Sequence, residues 1–309
     1  MYLYRISGLT IASEIMLPGA WPLDHGTPDV VMRQGAVAVV LANPLASSRV
    51  WEADASSLLL RAKGVGRFLI AHGDMILFEP EQGVPAEACA PYLQGTGIGV
   101  LLNQRGEIVL HASAAAVDGK AMLFCGRSGE GKSTLVAALS VLGYETFSDD
   151  LSRITFDQAG RPFVSADARQ LKLNDETIDT LNLEGRRGGA VTQGSAKTYV
   201  SPPAQWGAED LPLGAIYLLR SPATAPDRIA QLDTAAALRR LMRQAHRPGM
   251  MRRTGQSGRY FEANAKILRH ASMFTLERRR GIARLRETTT MLENHWEGCR
   301  AADVSGGMS

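Results

Sequence analysis

The stretch AMLFCGRSGEGKSTLVAALSVL, residues 121–142, decides the fold. An apolar run ends at Cys125, a loop of pattern GxxxxGKS covers Gly126–Ser133, and an apolar helical run continues to Leu142. A strand, this loop and a helix in that order form a phosphate-binding loop, because its glycines let backbone N–H groups turn towards phosphate oxygens. The helix N-terminus adds partial positive charge at the same place. The stretch therefore predicts nucleotide binding.

The chemistry of the loop residues gives them separate roles. Lys132 can reach the β and γ phosphates of ATP, and the hydroxyl of Ser133 can bind Mg²⁺. The backbone of the loop and the first helical turn are expected to surround the phosphates. The residues predicted to bind the nucleotide are Gly126, Arg127, Ser128, Gly129, Glu130, Gly131, Lys132, Ser133 and Thr134.

Two adjacent carboxylates, Asp149 and Asp150, follow the next predicted strand. Side by side they repel each other unless a cation or a substrate proton lies between them. Beside a phosphate-binding loop, one carboxylate can hold Mg²⁺ while its neighbour accepts a proton from the attacking hydroxyl. The pair comes 17 residues after Lys132, and this position favours catalysis over a solvated turn.

A histidine, His111, precedes the strand that leads towards the loop and lies 21 residues before Lys132. His111, the GRSGEGKS loop and the Asp149-Asp150 pair together resemble the catalytic core of the HPr kinase/phosphorylase family. That family has a histidine, a strand, a GxSGxGKS loop and an Asp-Asp pair at these spacings. The resemblance is good over residues 107–154 and looser to about residue 220.

The resemblance implies a role for each of these residues. Asp150 would accept the proton of a serine hydroxyl, and His111 would assist the transfer. Asp149 and Ser133 would hold the metal, and Lys132 would bind phosphate. The resemblance also implies a homo-oligomer.

Two downstream elements of the family match less closely. A metal-binding Glu of the family falls near Asp175 and Glu176, although the surrounding LKLNDETI departs from the family's signature. The family's catalytic arginine has no secure counterpart. The candidates for γ-phosphate contacts, near or within a glycine-rich stretch (185–194) that could be a mobile loop, are Arg186, Arg187 and Lys197.

Short β-rich runs, among them Tyr2–Ile6 and Ala36–Leu41, predict a β-rich N-terminal domain over residues 1–100. Residues 101–309 are expected to form an α/β P-loop kinase core, a mixed sheet with flanking helices. This layout, with RISGLTIASEIMLPG near the start, resembles the lasso peptide kinases. The resemblance implies that the partner is a precursor peptide, phosphorylated on serine.

Positive charge is concentrated towards the C-terminal end. Residues 239–286 carry fourteen Lys or Arg against two Glu, whereas the whole chain has a net charge of +3. A helix predicted over Asp233–Arg247 would place the basic residues Arg239, Arg240, Arg243 and Arg247 on one face. Such a face is either solvated surface or a docking surface for an acidic acceptor. Few aromatic residues accompany it, which disfavours binding of single-stranded nucleic acid.

The composition, 45% hydrophobic and 21% charged, is that of a globular protein. No apolar run approaches the roughly 18 to 20 residues that span a bilayer, so no membrane association is expected. The start lacks the apolar core of a signal peptide. The three cysteines are far apart without metal-ligand spacing, which favours a reducing, cytoplasmic location.

Two other functions remain open from the sequence. One is a kinase or phosphotransferase acting on a small metabolite, related to the carboxykinases that share this core. The other is a regulatory nucleotide-binding module that has no acceptor. Transfer of phosphate to a serine peptide would distinguish a peptide kinase from a metabolite kinase. ATPase activity independent of any acceptor would favour the regulatory module.

Overall fold

Antiparallel strands dominate the first eighty residues, because short apolar runs alternate there with Gly, Pro and Asp turns. The computed structural model describes residues 1–306 except 168–169, 193, 206, 208 and 223–225, with side chains to residue 301. The strands of the first sheet pair in the order β3-β1-β2-β4-β9-β8-β7-β6-β5. They are β1 (Tyr2–Ile6), β2 (Leu9–Ser13), β3 (Trp21–Pro22), β4 (Val30–Gln34), β5 (Ala46–Ser47), β6 (Trp51–Ala53), β7 (Ser57–Ala62), β8 (Gly66–Ala71) and β9 (Met75–Pro80).

The run Ala36–Leu41 is a loop, so the strand predicted there is wrong. Side chains satisfy its backbone: the N–H of Val37 donates to Glu79 Oε2 at 2.7 Å, and that of Leu41 donates to Glu52 Oε2 at 2.8 Å. Because carboxylates accept these bonds, the segment needs no neighbouring strand.

A helical segment closes the first sheet and leads into the second part of the chain. Its buried residues, among them Leu93 and Leu101, share one core with Phe68 and Phe78 of the sheet. The predicted domain boundary near residue 100 falls within this segment and stays a prediction. The segment consists of a 3₁₀ turn (Ala86–Cys89), α1 (Ala90–Tyr92), a π-helical turn (Leu93–Gly97) and α2 (Ile98–Gln104).

A mixed sheet carries the phosphate-binding loop. Its strands pair in the order β10-β14-β15-β19-β12-β11-β13, and β21 extends it by pairing with β19 and β20. Pairing of Ala112 with Cys125 places His111, one residue earlier, beside Gly126 at the start of the loop. The strands are β10 (Ile108–Leu110), β11 (Ala112–Val117), β12 (Lys120–Cys125), β13 (Glu145–Ser148), β14 (Ser152–Phe156), β15 (Pro162–Val164), β19 (Leu211–Arg220), β20 (Arg228–Gln231) and β21 (Ser272–Glu277).

Helices and a small sheet flank this mixed sheet. The small sheet has the order β16-β18-β17, with β16 (Leu171–Leu173), β17 (Arg187–Ala190) and β18 (Thr198–Val200). The helices are α3 (Lys132–Val141), α4 (Asp175–Thr180), α5 (Thr234–Leu241), α6 (Pro248–Arg253), α7 (Ser257–Ile267) and α8 (Leu285–Gly306), with 3₁₀ turns at Glu184–Arg186, Met242–Gln244 and Ile282–Arg284. The fold class is therefore α/β, a mixed sheet with flanking helices behind a β-rich N-terminal region. Among the described helices, none combines the length and apolar character that a membrane crossing requires.

The helix predicted over Asp233–Arg247 is shorter in the structure. Asp233 caps its start, accepting from the N–H of Ala236, but α5 ends at Leu241. Past a 3₁₀ turn, the chain instead bonds to the edge of β10: the N–H of His111 donates to Gln244 O at 2.7 Å. This tertiary pairing replaces the helical hydrogen bonds that the spacing predicts.

His246 lies in this same segment and is only 5% exposed. Its ring packs against Gly99, and its Nδ1 has no hydrogen-bond partner among the described residues. Burial lowers the pKa of His246 to about 3. Below pH 6.5, the ordinary pKa of histidine, His246 is protonated in the unfolded chain but stays neutral in the folded protein until the pH falls to about 3. We therefore expect His246 to lower the free energy of unfolding by up to about 1.4 kcal/mol for each pH unit between 6.5 and 3.

The variant His246→Gln isolates this effect, because glutamine does not titrate. Urea unfolding across that pH range should show a flatter pH dependence for the variant. Asp167, whose pKa burial raises to about 6, contributes with the opposite sign between about pH 4 and 6. Asp167 is present in both proteins, so its contribution cancels in the difference. Parallel curves for the two proteins would contradict a neutral, buried His246.

Candidate active site

The phosphate-binding loop joins β12 to α3 with the backbone that its glycines allow. Gly129 and Gly131 have φ of +84° and +82°, a left-handed conformation that residues with a Cβ rarely adopt. Gly131 caps α3, and a Cβ there would lie 2.6 Å from Arg278 Nη2. The first N–H groups of α3 have no acceptor within the helix, so they are available to an anion.

Lys132 is the first residue of α3 and is only 7% exposed. Its Nζ donates to Gly126 O at 2.9 Å and lies 3.1 Å from His111 Nε2. Burial lowers the pKa of this ammonium, and nearby acidic groups oppose that effect only in part. The side chain therefore lies across its own loop, with its charge between the loop carbonyls and His111.

Asp149 links the loop to the end of β13. Its Oδ1 accepts from Ser133 Oγ at 2.8 Å and from Ser113 Oγ at 2.6 Å, while Oδ2 accepts from the N–H of Lys172 at 3.1 Å. A carboxylate and a hydroxyl held together in this way are oxygen ligands of the kind that Mg²⁺ prefers. Among the described residues, no group of three or more His, Cys, Asp or Glu forms a metal site. Mg²⁺ bound here would thus take its other ligands from nucleotide and water.

Asp150 adopts a left-handed backbone, with φ of +77°, directly after Asp149. Its Oδ1 lies 3.1 Å from His111 Nδ1, and its Oδ2 lies 2.8 Å from Lys172 Nζ. Burial alone would raise the pKa of this carboxyl, but His111 and Lys172 outweigh burial and hold it well below its usual range. Such backbone strain in a non-glycine residue is concentrated at functional sites.

His111 connects the two halves of the site. Its Nδ1 faces two Asp150 oxygens, the carbonyl at 2.9 Å and the carboxylate at 3.1 Å, so Nδ1 carries the proton. Nε2 is then free to accept from Lys132. The side chains therefore form a continuous series of contacts that starts at the loop: Lys132, His111, Asp150 and Lys172.

Lys172 belongs to the site although no sequence pattern indicated it. It lies in β16 between the buried Leu171 and Leu173, in a part of the chain where the family resemblance suggests a carboxylate. Burial acts to lower the pKa of Lys172, but the adjacent Asp150 raises it overall. The local sequence offered no signal, because the side chain between two buried residues of a strand points to the opposite face, and Leu-Lys-Leu is the ordinary pattern of a half-exposed strand.

Three of the weaker candidates, Arg186, Arg187 and Asp175, do not line the cavity around the loop. Arg187 donates to Asp175 and Glu184, and Arg186 donates to Pro202 O. The side chain of Asp175 is 73% exposed. The stretch 185–194 includes β17 and is not wholly a loop, and Gln193 within it lies outside the described residues.

Lys197, in contrast, lines a cavity of about 190 Å³ around the loop. The cavity is also lined by Ser128, Lys132, Ser133, Thr134, Asp149 and Asp150. The side chain of Glu130 is engaged elsewhere, with Ser221 and Arg280. Of the residues predicted to bind nucleotide, Glu130 can therefore contribute its backbone rather than its carboxylate.

No protein-family model and no curated protein matches this chain. Among solved structures, the chain is similar to the HPr(Ser) kinase/phosphatase from Coxiella burnetii, with a TM-score of 0.38 and 12% sequence identity. The match covers 65% of this chain and 97% of that one. A likeness of this degree carries no functional argument, so the proposed function depends on the geometry of the site.

Proposed function

We propose that the protein is an ATP- and Mg²⁺-dependent kinase that phosphorylates a serine hydroxyl of a peptide. The serine Oγ forms a bond to the γ-phosphorus as the bond to the β-phosphate oxygen breaks. ADP leaves, and the hydroxyl proton passes to Asp150. Positioning and charge stabilisation supply most of the catalysis in such a transfer.

The contact series from Lys132 through His111 to Asp150 carries the proposal. Lys132 Nζ lies 3.1 Å from His111 Nε2, and Asp150 Oδ1 lies 3.1 Å from His111 Nδ1. A γ-phosphate bound to Lys132 would thus lie near the carboxylate that receives the hydroxyl. A module that only binds nucleotide does not need this second carboxylate.

The pair Ser133 and Asp149 would hold Mg²⁺, which would neutralise charge on the phosphates. Asp149 also accepts from Ser113, so its orientation is fixed from two sides. Asp150 has a low pKa and is therefore a weak base. That is compatible with phosphoryl transfer, in which the catalytic carboxylate also orients the attacking hydroxyl.

The chain layout, which resembles that of the lasso peptide kinases, favours a precursor peptide as acceptor. The direct test incubates the full chain with γ-labelled ATP, MgCl₂ and a serine peptide or its alanine counterpart. Phosphoserine found by mass spectrometry in the first peptide alone would support the proposal. Label released as phosphate at the same rate with either peptide would favour a regulatory ATPase, and transfer only to a small metabolite would favour a metabolite kinase.

Lys172→Met is expected to reduce kcat about tenfold while changing the KM for ATP much less. Lys172 holds Asp150 at 2.8 Å and lowers its pKa, so the variant removes a positioning contact at the wall of the phosphate cavity. An opposite charge at this distance shifts a carboxyl pKa by roughly 1–3 units. The acid limb of the kcat profile should therefore move to higher pH.

Lys172→Arg serves as the matched control for that experiment, because it keeps the positive charge beside Asp150. It should retain the acid limb of the wild-type profile. If Lys172→Met loses activity with no movement of the acid limb, Lys172 acts on the fold rather than on Asp150.

A further inference from the structure

A second, larger cavity of about 1070 Å³ opens beside the phosphate cavity. The two share His111, Ser128 and Asp150, so the larger cavity reaches the point where the acceptor hydroxyl must arrive. Its volume lies just above the usual range for small-molecule sites, which leaves room for a peptide segment. One wall comes from the helical segment after the first sheet and includes Tyr92 and Thr96.

Another part of the cavity wall carries positive charge. Arg240 and Arg243 line the cavity and form no ion pair with any residue that the structure describes. The carboxylates in the cavity wall are engaged elsewhere, Glu130 by Arg280 and Asp150 by Lys172. The two guanidinium groups therefore have no carboxylate to compensate them within this part of the wall.

Backbone hydrogen bonds place these arginines close to the reacting groups. Gln244, the residue after Arg243, accepts from the N–H of His111 at 2.7 Å. Arg247 also lines the cavity and donates to Thr96 Oγ1 at 2.5 Å, so it joins the two walls. A group bound by Arg240 and Arg243 thus lies within a short peptide's length of Asp150.

We infer that this cavity is the acceptor cleft and that Arg240 and Arg243 bind carboxylate side chains of an acidic peptide flanking its serine. The inference rests on the proposed kinase function. Guanidinium groups bind carboxylates through paired N–H donors, which gives both charge and geometric selectivity. Tyr92 is the aromatic residue in the described lining, whereas single-stranded nucleic acid would need several aromatic faces for stacking.

Arg239 provides a matched control on the same helix. It precedes Arg240 directly but is exposed and does not line the cavity. If general surface charge attracted the peptide, Arg239→Gln and Arg240→Gln would have equal effects. Recognition in the cleft predicts that Arg240→Gln matters and Arg239→Gln does not.

The binding experiment uses fluorescence anisotropy with two labelled peptides, one with a serine flanked by glutamates and one with glutamines in their place. The full chain should bind the glutamate peptide more tightly. The double variant Arg240→Gln/Arg243→Gln should weaken that binding about tenfold or more, since each arginine supplies a charged hydrogen bond. Arg239→Gln should bind as the wild type does. Equal affinity for both peptides, or no loss in the double variant, would overturn the inference.

Further measurements on the same proteins separate the other possible occupants. If the double variant weakens ATP binding instead of peptide binding, these arginines belong to the nucleotide site and the inference is wrong. It is also wrong if a single-stranded oligonucleotide outcompetes the glutamate peptide on the wild type but not on the double variant.

Phosphate transfer to the same peptides distinguishes this inference from the proposed function. If the glutamate peptide binds through Arg240 and Arg243 but neither peptide is phosphorylated, the cleft stands and the kinase proposal fails. If both peptides are phosphorylated with the same KM, the kinase proposal stands and the acidic specificity is wrong.

Discussion

Asp150→Asn is expected to slow single-turnover phosphoryl transfer by about 10² to 10⁴, the usual range for loss of a general base. Asparagine keeps the size of the side chain and one acceptor oxygen, but it cannot take up the hydroxyl proton. Asp149 would still accept from Ser133, so affinity for Mg²⁺ and ATP should change little. Rapid-quench measurements and calorimetric titration with the nucleotide would record the two quantities separately.

Asp149→Asn is the matched comparison at the neighbouring position. It alters the oxygen that contacts Ser133 and Ser113, so it should weaken metal-dependent nucleotide binding as well as slow transfer. If Asp150→Asn transfers phosphate at nearly the wild-type rate, the base is assigned wrongly, and Asp149 becomes the next candidate.

Lys132→Ala should weaken ATP binding and lower the rate of transfer by at least about 10² to 10³, the effect of losing one preorganised donor in a transition state. Its Nζ lies on the loop side of His111 and is buried, so no solvent cation replaces it well. Lys120→Ala, at the exposed start of the strand β12 that leads into the loop, is the control and should bind ATP normally. Isothermal titration would compare them. Unchanged affinity and turnover in a folded Lys132→Ala protein would refute phosphate binding by this loop.

Local signals predicted the strand, loop and helix around Lys132 well, because glycine positions and apolar runs determine such a unit over a few residues. β12 ends at Cys125, as the apolar run predicts, and α3 ends at Val141, one residue before the predicted end. The structure also brings His111 and Asp150 together with Lys132, a contact that depends only on pairing between adjacent strands. The roles of these residues in catalysis remain predictions.

Contacts between distant segments account for what the sequence did not indicate. Lys172 reaches Asp150 from a separate small sheet, and no periodic pattern connects the two. Helical spacing after Asp233 continues past Leu241, yet the chain leaves the helix because Gln244 bonds to His111. In such places a tertiary hydrogen bond outweighs a modest local preference.

The turn at Ser7 and Gly8, between the first two strands of the chain, directly contacts the part of the chain that holds the candidate active site. Ser7 donates to Asp167 Oδ1 and accepts from Arg153 through its carbonyl, and a Cβ on Gly8 would lie 2.5 Å from the Arg153 guanidinium. Asp167 lines a small cavity together with Asp149 and Asp150. Replacing the first sheet with an unrelated domain would therefore expose the wall of this small cavity beside Asp149 and Asp150. A replacement would have to bring a turn without a Cβ at the position of Gly8, since a Cβ there would meet Arg153.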